Sequence, residues 1–236
     1  MTTTDSATDA AGPVLALMSP LQQVRAGRLP LRLTQLLLGL VLYGITLALM
    51  IRAGLGNAPW DVLHQGLARH LPLSIGEVLI VVSLIVLLLW VPIREVPGLG
   101  TICNAFLIGI AADATLSVVS EPRQLWLRIA MMVVGLVGNA VATAYYIGAQ
   151  LGPGPRDGLM TGLHRRTGLP IGRVRTALEV SVVIVGWLLG GTLGIGTVLY
   201  AFGIGPLVQR LLPHAIVPLG TSQCTRNRTG LDRRSA

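Results

Sequence analysis

Six apolar runs, at residues 32–51, 75–93, 99–119, 128–149, 174–190 and 195–212, leave this chain few ways to fold. A helix crosses a hydrocarbon core of about 30 Å with about 20 residues at 1.5 Å each, and every run is of that order. With 52% hydrophobic and only 12% charged residues, against about 25% charged in ordinary domains, the chain has more apolar surface than a soluble globule can hide. The expected class is all-α: a polytopic helical membrane protein of about six transmembrane helices.

The last two runs need a break between them, because residues 180–209 carry no charge and one helix of that length would reach about 45 Å. Gly190, Gly191, Thr192, Leu193 and Gly194 offer a tight hairpin. The alternative is one tilted helix that uses Gly186, Gly190 and Gly194 as a close-packing face, within the chain or between chains of a homo-oligomer.

The chain also matches itself. A shift of 96 residues aligns Arg52–Val78 with Gly148–Val174 without a gap, and 13 of the 27 positions are identical. That is a duplication rather than shared composition. The register persists where Gly98-Leu99-Gly100-Thr101 meets Gly194-Ile195-Gly196-Thr197, which sets the charged loop at Arg94 opposite the proposed hairpin. The expected domains are a cytosolic disordered tail (1–30), with an interfacial helix at residues 14–24 as the alternative within it, a first membrane repeat (31–120), a second (127–213) and an Arg-rich cytosolic tail (214–236).

Three spans per half force the second copy into the membrane the other way up. With the N-terminus inside, 14 of the 18 arginines fall in cytosolic segments and 4 in outer ones, as the positive-inside rule requires. The expectation is a pair of inverted repeats with both termini cytoplasmic. The basic charge lies in short segments between apolar runs, so orientation explains it and nucleic acid is not expected as a partner. The chain has no lysine, which excludes a Walker A loop and a lysine Schiff base.

The best-matched stretch follows the first span of each half: Gly54-Leu-Gly-Asn-Ala-Pro-Trp-Asp in one copy, Gln150-Leu-Gly-Pro-Gly-Pro-Arg-Asp in the other. Gly56 and Gly152 suit a positive φ, Pro59 and Pro155 suit a first helical position, and Asp61 and Asp157 fall in the first turn, where their charge complements the helix dipole. Each opens a helix of about 18 Å, too short to cross, and so either re-entrant or interfacial. As re-entrant half-helices they would aim their N-termini at a shared substrate site near the midplane, where free N–H groups hold a polar or anionic solute. As interfacial helices they would be merely capped by the two aspartates.

Asp113, Asn104 and Asn139 are the other polar candidates at membrane depth, for a proton or polar relay. Asp113 is repeated as Gln209; its plainer reading is an interhelical hydrogen bond or a place near the outer interface. Glu179 is expected to pair with Arg175 at i, i+4 spacing near the headgroups. His64, His70 and His164 show no metal-ligand spacing, Cys103 and Cys224 fit neither a disulfide framework nor a zinc site, and Gly152–Gly158 has the wrong spacing for a dinucleotide loop. No GxSxG elbow is present either, so neither metal, cofactor nor enzyme activity is expected.

These residues also carry a resemblance. The run Arg52-Ala-Gly-Leu-Gly-Asn-Ala-Pro-Trp-Asp-Val-Leu-His-Gln-Gly-Leu, then Leu73-Ser-Ile-Gly, then Leu151-Gly-Pro-Gly-Pro-Arg-Asp-Gly-Leu-Met-Thr-Gly-Leu, resembles the YczE/YyaS/YitT family of bacterial integral membrane proteins over about residues 30–212. The resemblance implies a bacterial inner-membrane location and no established activity. Two functions are expected to compete: a small secondary transporter or permease for an unknown small solute, and a membrane-embedded assembly or regulatory factor that transports nothing.

Overall fold

The computed structural model describes residues 18–219. The expectations for residues 1–17 and 220–236, Cys224 included, lie outside the described residues. Nine helices form among those described: α1 (Pro20–Arg25), α2 (Leu29–Ala53), α3 (Pro59–Ala68), α4 (Ile75–Ile93), α5 (Leu99–Val118), α6 (Leu125–Gly148), α7 (Pro155–Thr167), α8 (Ile171–Leu188) and α9 (Ile195–Ala215). Five of them, α2, α4, α5, α6 and α9, are long and apolar enough to cross a membrane. The fifth expected span, 174–190, falls on α8, which carries Arg173, Arg175 and Glu179 in its first half and is not among them.

The helices keep the register of the repeat. Those of the first half begin at residues 29, 59, 75 and 99 and those of the second at 125, 155, 171 and 195, and each difference (125 − 29, 155 − 59, 171 − 75, 195 − 99) is 96. The chain breaks between Leu188 and Ile195, with Gly190 at φ +87°, so the run turns there and the single tilted helix does not form. The glycine face is used within the chain: a Cβ on Gly186 would lie 2.5 Å from Leu63 N of α3, and one on Gly190 3.1 Å from Arg69 Nη1.

The core is built on α2 and α6, which run antiparallel. Gly39 meets Tyr146 and Tyr145, and Gly135 meets Met50 and the Thr46 carbonyl. Their ends are clamped reciprocally. Arg32, at the start of α2, donates from Nε to Ala149 O at 2.8 Å and from Nη2 to Gln150 O at 2.6 Å; Arg128, at the start of α6, donates from Nε to Ala53 O at 2.7 Å and from Nη2 to Gly54 O at 3.0 Å. A helix leaves its last carbonyls without intrahelical donors, and a guanidinium there supplies both hydrogen bonds and charge of the sign the dipole favours. Arg32 is fully buried, so without those acceptors its charge would be costly.

The short helices are exchanged between halves. Helix α3 lies against α8, and α7 lies against α4. Matching hydrogen bonds pin the loops that lead into them: Gly100 N donates to Leu151 O at 2.7 Å and Gly196 N to Leu55 O at 2.8 Å, the second pair being the first with the halves swapped. Gly56 and Gly152 take nearly equal positive φ of +117° and +119°, against Thr197 and Thr101 respectively. An L side chain resists that backbone, and a Cβ would strike the threonine, so both pressures select glycine.

Part of the N-terminal stretch expected to be a tail is helical. Ser19 N donates to Gln22 Oε1 at 2.9 Å to start α1, and Arg32 Nη1 donates to Gln23 O at 2.5 Å to hold it on the helical body. At the other end Val217 N donates to Gly148 O at 3.1 Å and Gln150 Nε2 to Val217 O at 2.9 Å, which carries the packed chain past residue 213.

Candidate functional site

Proline supplies the geometry of the site. Pro59 and Pro155 stand at the first positions of α3 and α7, where their fixed φ favours the helix and their missing N–H costs nothing. The two N-termini open on one cavity of about 280 Å³. Pro59 and Trp60 enter it from α3, Pro155, Arg156 and Asp157 from α7, Tyr43 from α2, Asn104 from α5, Tyr146 from α6, Arg175 and Glu179 from α8, and Tyr200 from α9. Both halves therefore contribute to one lining.

The polar contacts form two chains. In one, Arg156 Nη2 lies 3.7 Å from Asp61 Oδ1, which also meets His64 Nδ1 at 3.2 Å, and the Arg156 guanidinium lies 5.3 Å from the centre of the Trp60 ring. Asp61 is 4% exposed and His64 1%, so Arg156, whose side chain is 22% exposed, is the member that reaches the cavity. In the other, Tyr146 Oη donates to Asp157 Oδ2 at 2.6 Å, and the Tyr146 and Tyr43 rings meet edge to face at 6.3 Å. Deeper in, Tyr200 Oη donates to Asn139 Oδ1 at 2.9 Å and Asn139 Nδ2 to Thr46 Oγ1 at 3.2 Å. Arg175 Nε donates to Glu179 Oε1 at 2.8 Å, the expected i, i+4 pair, here on the cavity wall. The wall thus pairs guanidinium with carboxylate among aromatic rings.

Of the residues singled out in the sequence, Pro59, Pro155, Asp157 and Asn104 line the cavity directly. Asp61 stands one side chain behind it through Arg156, and Asn139 behind Tyr200. Gly56 and Gly152 shape the entering loops. Asp113 is elsewhere: its Oδ1 accepts from Gly76 N at 2.8 Å and its Oδ2 from Ser74 Oγ at 2.5 Å, which caps the start of α4. The interhelical hydrogen bond weighed in the sequence is present.

Arg156, Trp60 and the three tyrosines escaped the sequence reading, which counted Arg156 among loop charges. A signal was present. Trp60 and Arg156 share one repeat position inside the best-matched motif, and Tyr43 and Asn104 have Asn139 and Tyr200 as repeat partners, so the two halves exchange tyrosine for asparagine.

Taken together, the apolar helices and the site define a multi-pass α-helical membrane protein with a cavity of paired charges and aromatic rings within its helical body. The chain belongs to a family of unknown function, DUF6198, whose model matches residues 30–213. It is 41% identical over 177 residues to an uncharacterized protein of Haemophilus influenzae, covering 75% of this chain and 81% of that one. It is 32% identical over 191 residues (80% and 88%) to the uncharacterized membrane protein YczE of Bacillus subtilis, and 27% identical over 180 residues (75% and 90%) to the uncharacterized protein YyaS of the same organism. These carry two of the names the motifs brought forward. No solved structure matches the chain.

Proposed function

We propose that this protein is a small secondary transporter of the bacterial inner membrane, with its solute held in the cavity where α3 and α7 begin. The observation that carries the reading is that two half-length helices, one from each repeat, start at the same cavity and are joined there by Arg156 and Asp61. Paired discontinuous helices with N-termini at a central site are how inverted-repeat transporters hold a solute, since orphan N–H groups and the helix dipole point at the same place. In this reading α8 is the sixth crossing, the two halves are inverted copies, and both termini are cytoplasmic. The antiparallel α2 and α6, the exchanged short helices and the 14-to-4 arginine split all support it. In this reading the protein binds its solute and releases it unchanged.

The test uses the full chain, purified and reconstituted in liposomes. A panel of small polar solutes is first screened for a rise in melting temperature, and hits are then followed as labelled solutes entering the vesicles. Asp157→Asn, which keeps shape and a hydrogen-bond acceptor for Tyr146, is expected to lower the melting temperature of the free protein no more than Tyr146→Phe does and to abolish uptake. Recovery of a stable partner by crosslinking in cells, with no solute accumulating above empty liposomes, would move the protein to the assembly-factor class.

A further inference from the structure

The two halves share a register but not a conformation. In the first, α4 packs along α5 through glycines: a Cβ on Gly76 would strike Gly109 O, and one on Gly109 would lie 2.5 Å from Gly76 O and 2.8 Å from Ile80 Cγ1. Asp113 locks that seam by accepting from Gly76 N. Adding 96 to residues 76, 109 and 113 gives Gly172, Gly205 and Gln209 in the second half. There a Cβ on Gly172 or on Gly205 would meet no heavy atom within 4 Å, and Gln209 lines the cavity instead. Leu79, Val82 and Ser83 of α4 are 1%, 9% and 5% exposed, whereas their repeat partners Arg175, Leu178 and Glu179 form part of the cavity wall. One helix pair therefore appears twice in the molecule, shut once and open once.

Glycine in a helix is destabilising relative to alanine, so its presence asks for a reason. At 76 and 109 close approach explains it. At 172 and 205 nothing in the open arrangement does, although the repeat has kept glycine at both positions.

We propose that α4–α5 and α8–α9 are two alternating gates of the cavity, and that in the second state Gly172 closes on Gly205, with Gln209 capping α8 at Gly172 N, while Gly76 and Gly109 part. Each seam lies at the starting end of its own third helix, so in inverted halves the two gates face opposite sides of the membrane. The structure is the state with the α8–α9 gate open. The use of this movement rests on the transport reading, but the movement itself needs no solute to be seen.

The experiment uses the full chain in liposomes with Cys103→Ser and Cys224→Ser, and adds Gly172→Cys, Gly205→Cys and, as a reporter on the shut seam, Ser83→Cys. Gly172→Cys with Gln209→Cys is a second reporter pair. Copper-phenanthroline oxidation is followed by N-ethylmaleimide labelling and mass spectrometry. The expected result is an intrachain disulfide between 172 and 205, after which Ser83→Cys reacts at least several-fold faster than before oxidation. Three results would overturn the proposal: single cysteines at 172 and 205 that label readily while neither pair crosslinks, a disulfide that joins two chains, or an intrachain disulfide that leaves Ser83→Cys shielded. A cavity that binds no solute would leave the closure intact, and a static seam would leave solute binding at Asp157 intact, so the two proposals fail separately.

Discussion

Trp60 and Arg156 occupy the same position in the two repeats (156 − 60 = 96), and the guanidinium of the second lies 5.3 Å from the centre of the ring of the first. Equivalent positions of the two repeats therefore meet in space at the site. One is a ring and the other a cation, so the two copies bring different chemistry to the same place.

Arg156 also faces Asp61 at 3.7 Å, and the two should be energetically coupled. Arg156→Gln removes the cation from a carboxylate that is 4% exposed, and is expected to cost about 1–3 kcal/mol, the scale of leaving a buried polar group unmatched. Asp61→Asn added to it should restore part of that, with a coupling of at least about 0.5 kcal/mol in a double-mutant cycle read by thermal denaturation in detergent. Strict additivity would show that His64 alone holds Asp61.

Tyr146→Phe deletes a hydroxyl that donates to Asp157 at 2.6 Å. The expected loss is about 1.5–3 kcal/mol, as for a hydrogen bond to a charged group, and in Tyr146→Phe/Asp157→Asn the loss should shrink because the acceptor no longer carries charge. Chemical denaturation with both variants in parallel measures it. Equal losses in the single and the double variant would mean that water already serves Asp157.

The two clamps differ in burial, and their removal should differ too. Arg32 is 0% exposed and donates to Ala149, Gln150 and Gln23, so Arg32→Gln is expected to cost about 3 kcal/mol or more, while the half-buried Arg128→Gln costs about half as much. Arg32→Lys should rescue little, because a point charge does not reproduce a planar fork that reaches three carbonyls. Melting temperatures of the three variants decide this.

Glycine to alanine should have opposite effects at repeat-equivalent sites. Gly76→Ala pushes a methyl into Gly109 O and the Asp113 carboxyl and is expected to destabilise strongly, by about 1–3 kcal/mol as over-packing does. Gly172→Ala meets nothing and should be neutral or stabilising by up to about 1 kcal/mol. Equal destabilisation at both would show that the second seam is packed more tightly than its open geometry indicates.

Much of the fold was legible because it depends on local signals. Runs of apolar residues announce helices in lipid, Gly-x-x-Pro-x-Asp announces a loop and a helix start, and the 96-residue register announces that whatever one half does the other attempts. Every helix after α1 begins in that register. The site was half legible. Asp157 and the prolines stood out by their place in the motif, but Arg156 looked like a loop charge, since nothing local shows that a loop turns inward. Asp113 looked like a candidate for the same reason reversed: its partner, the start of α4, is 37 residues away in sequence and invisible to any local pattern. The difference between the two seams was not legible at all, because Gly76 and Gly172 are the same residue in the same motif and only the packing around them differs.

The arginine clamps bear on how the chain is made. While the first helix is being threaded into the bilayer, the carbonyls of Ala53 and Gly54 have only water for a donor, for the guanidinium that satisfies them belongs to residue 128 and has yet to leave the ribosome. Arg32 waits in turn for Ala149 and Gln150. Each half's first helix thus ends on a donor that the other half supplies. Cut in the connection around residues 119–124, the halves should survive only when both pieces are synthesised together.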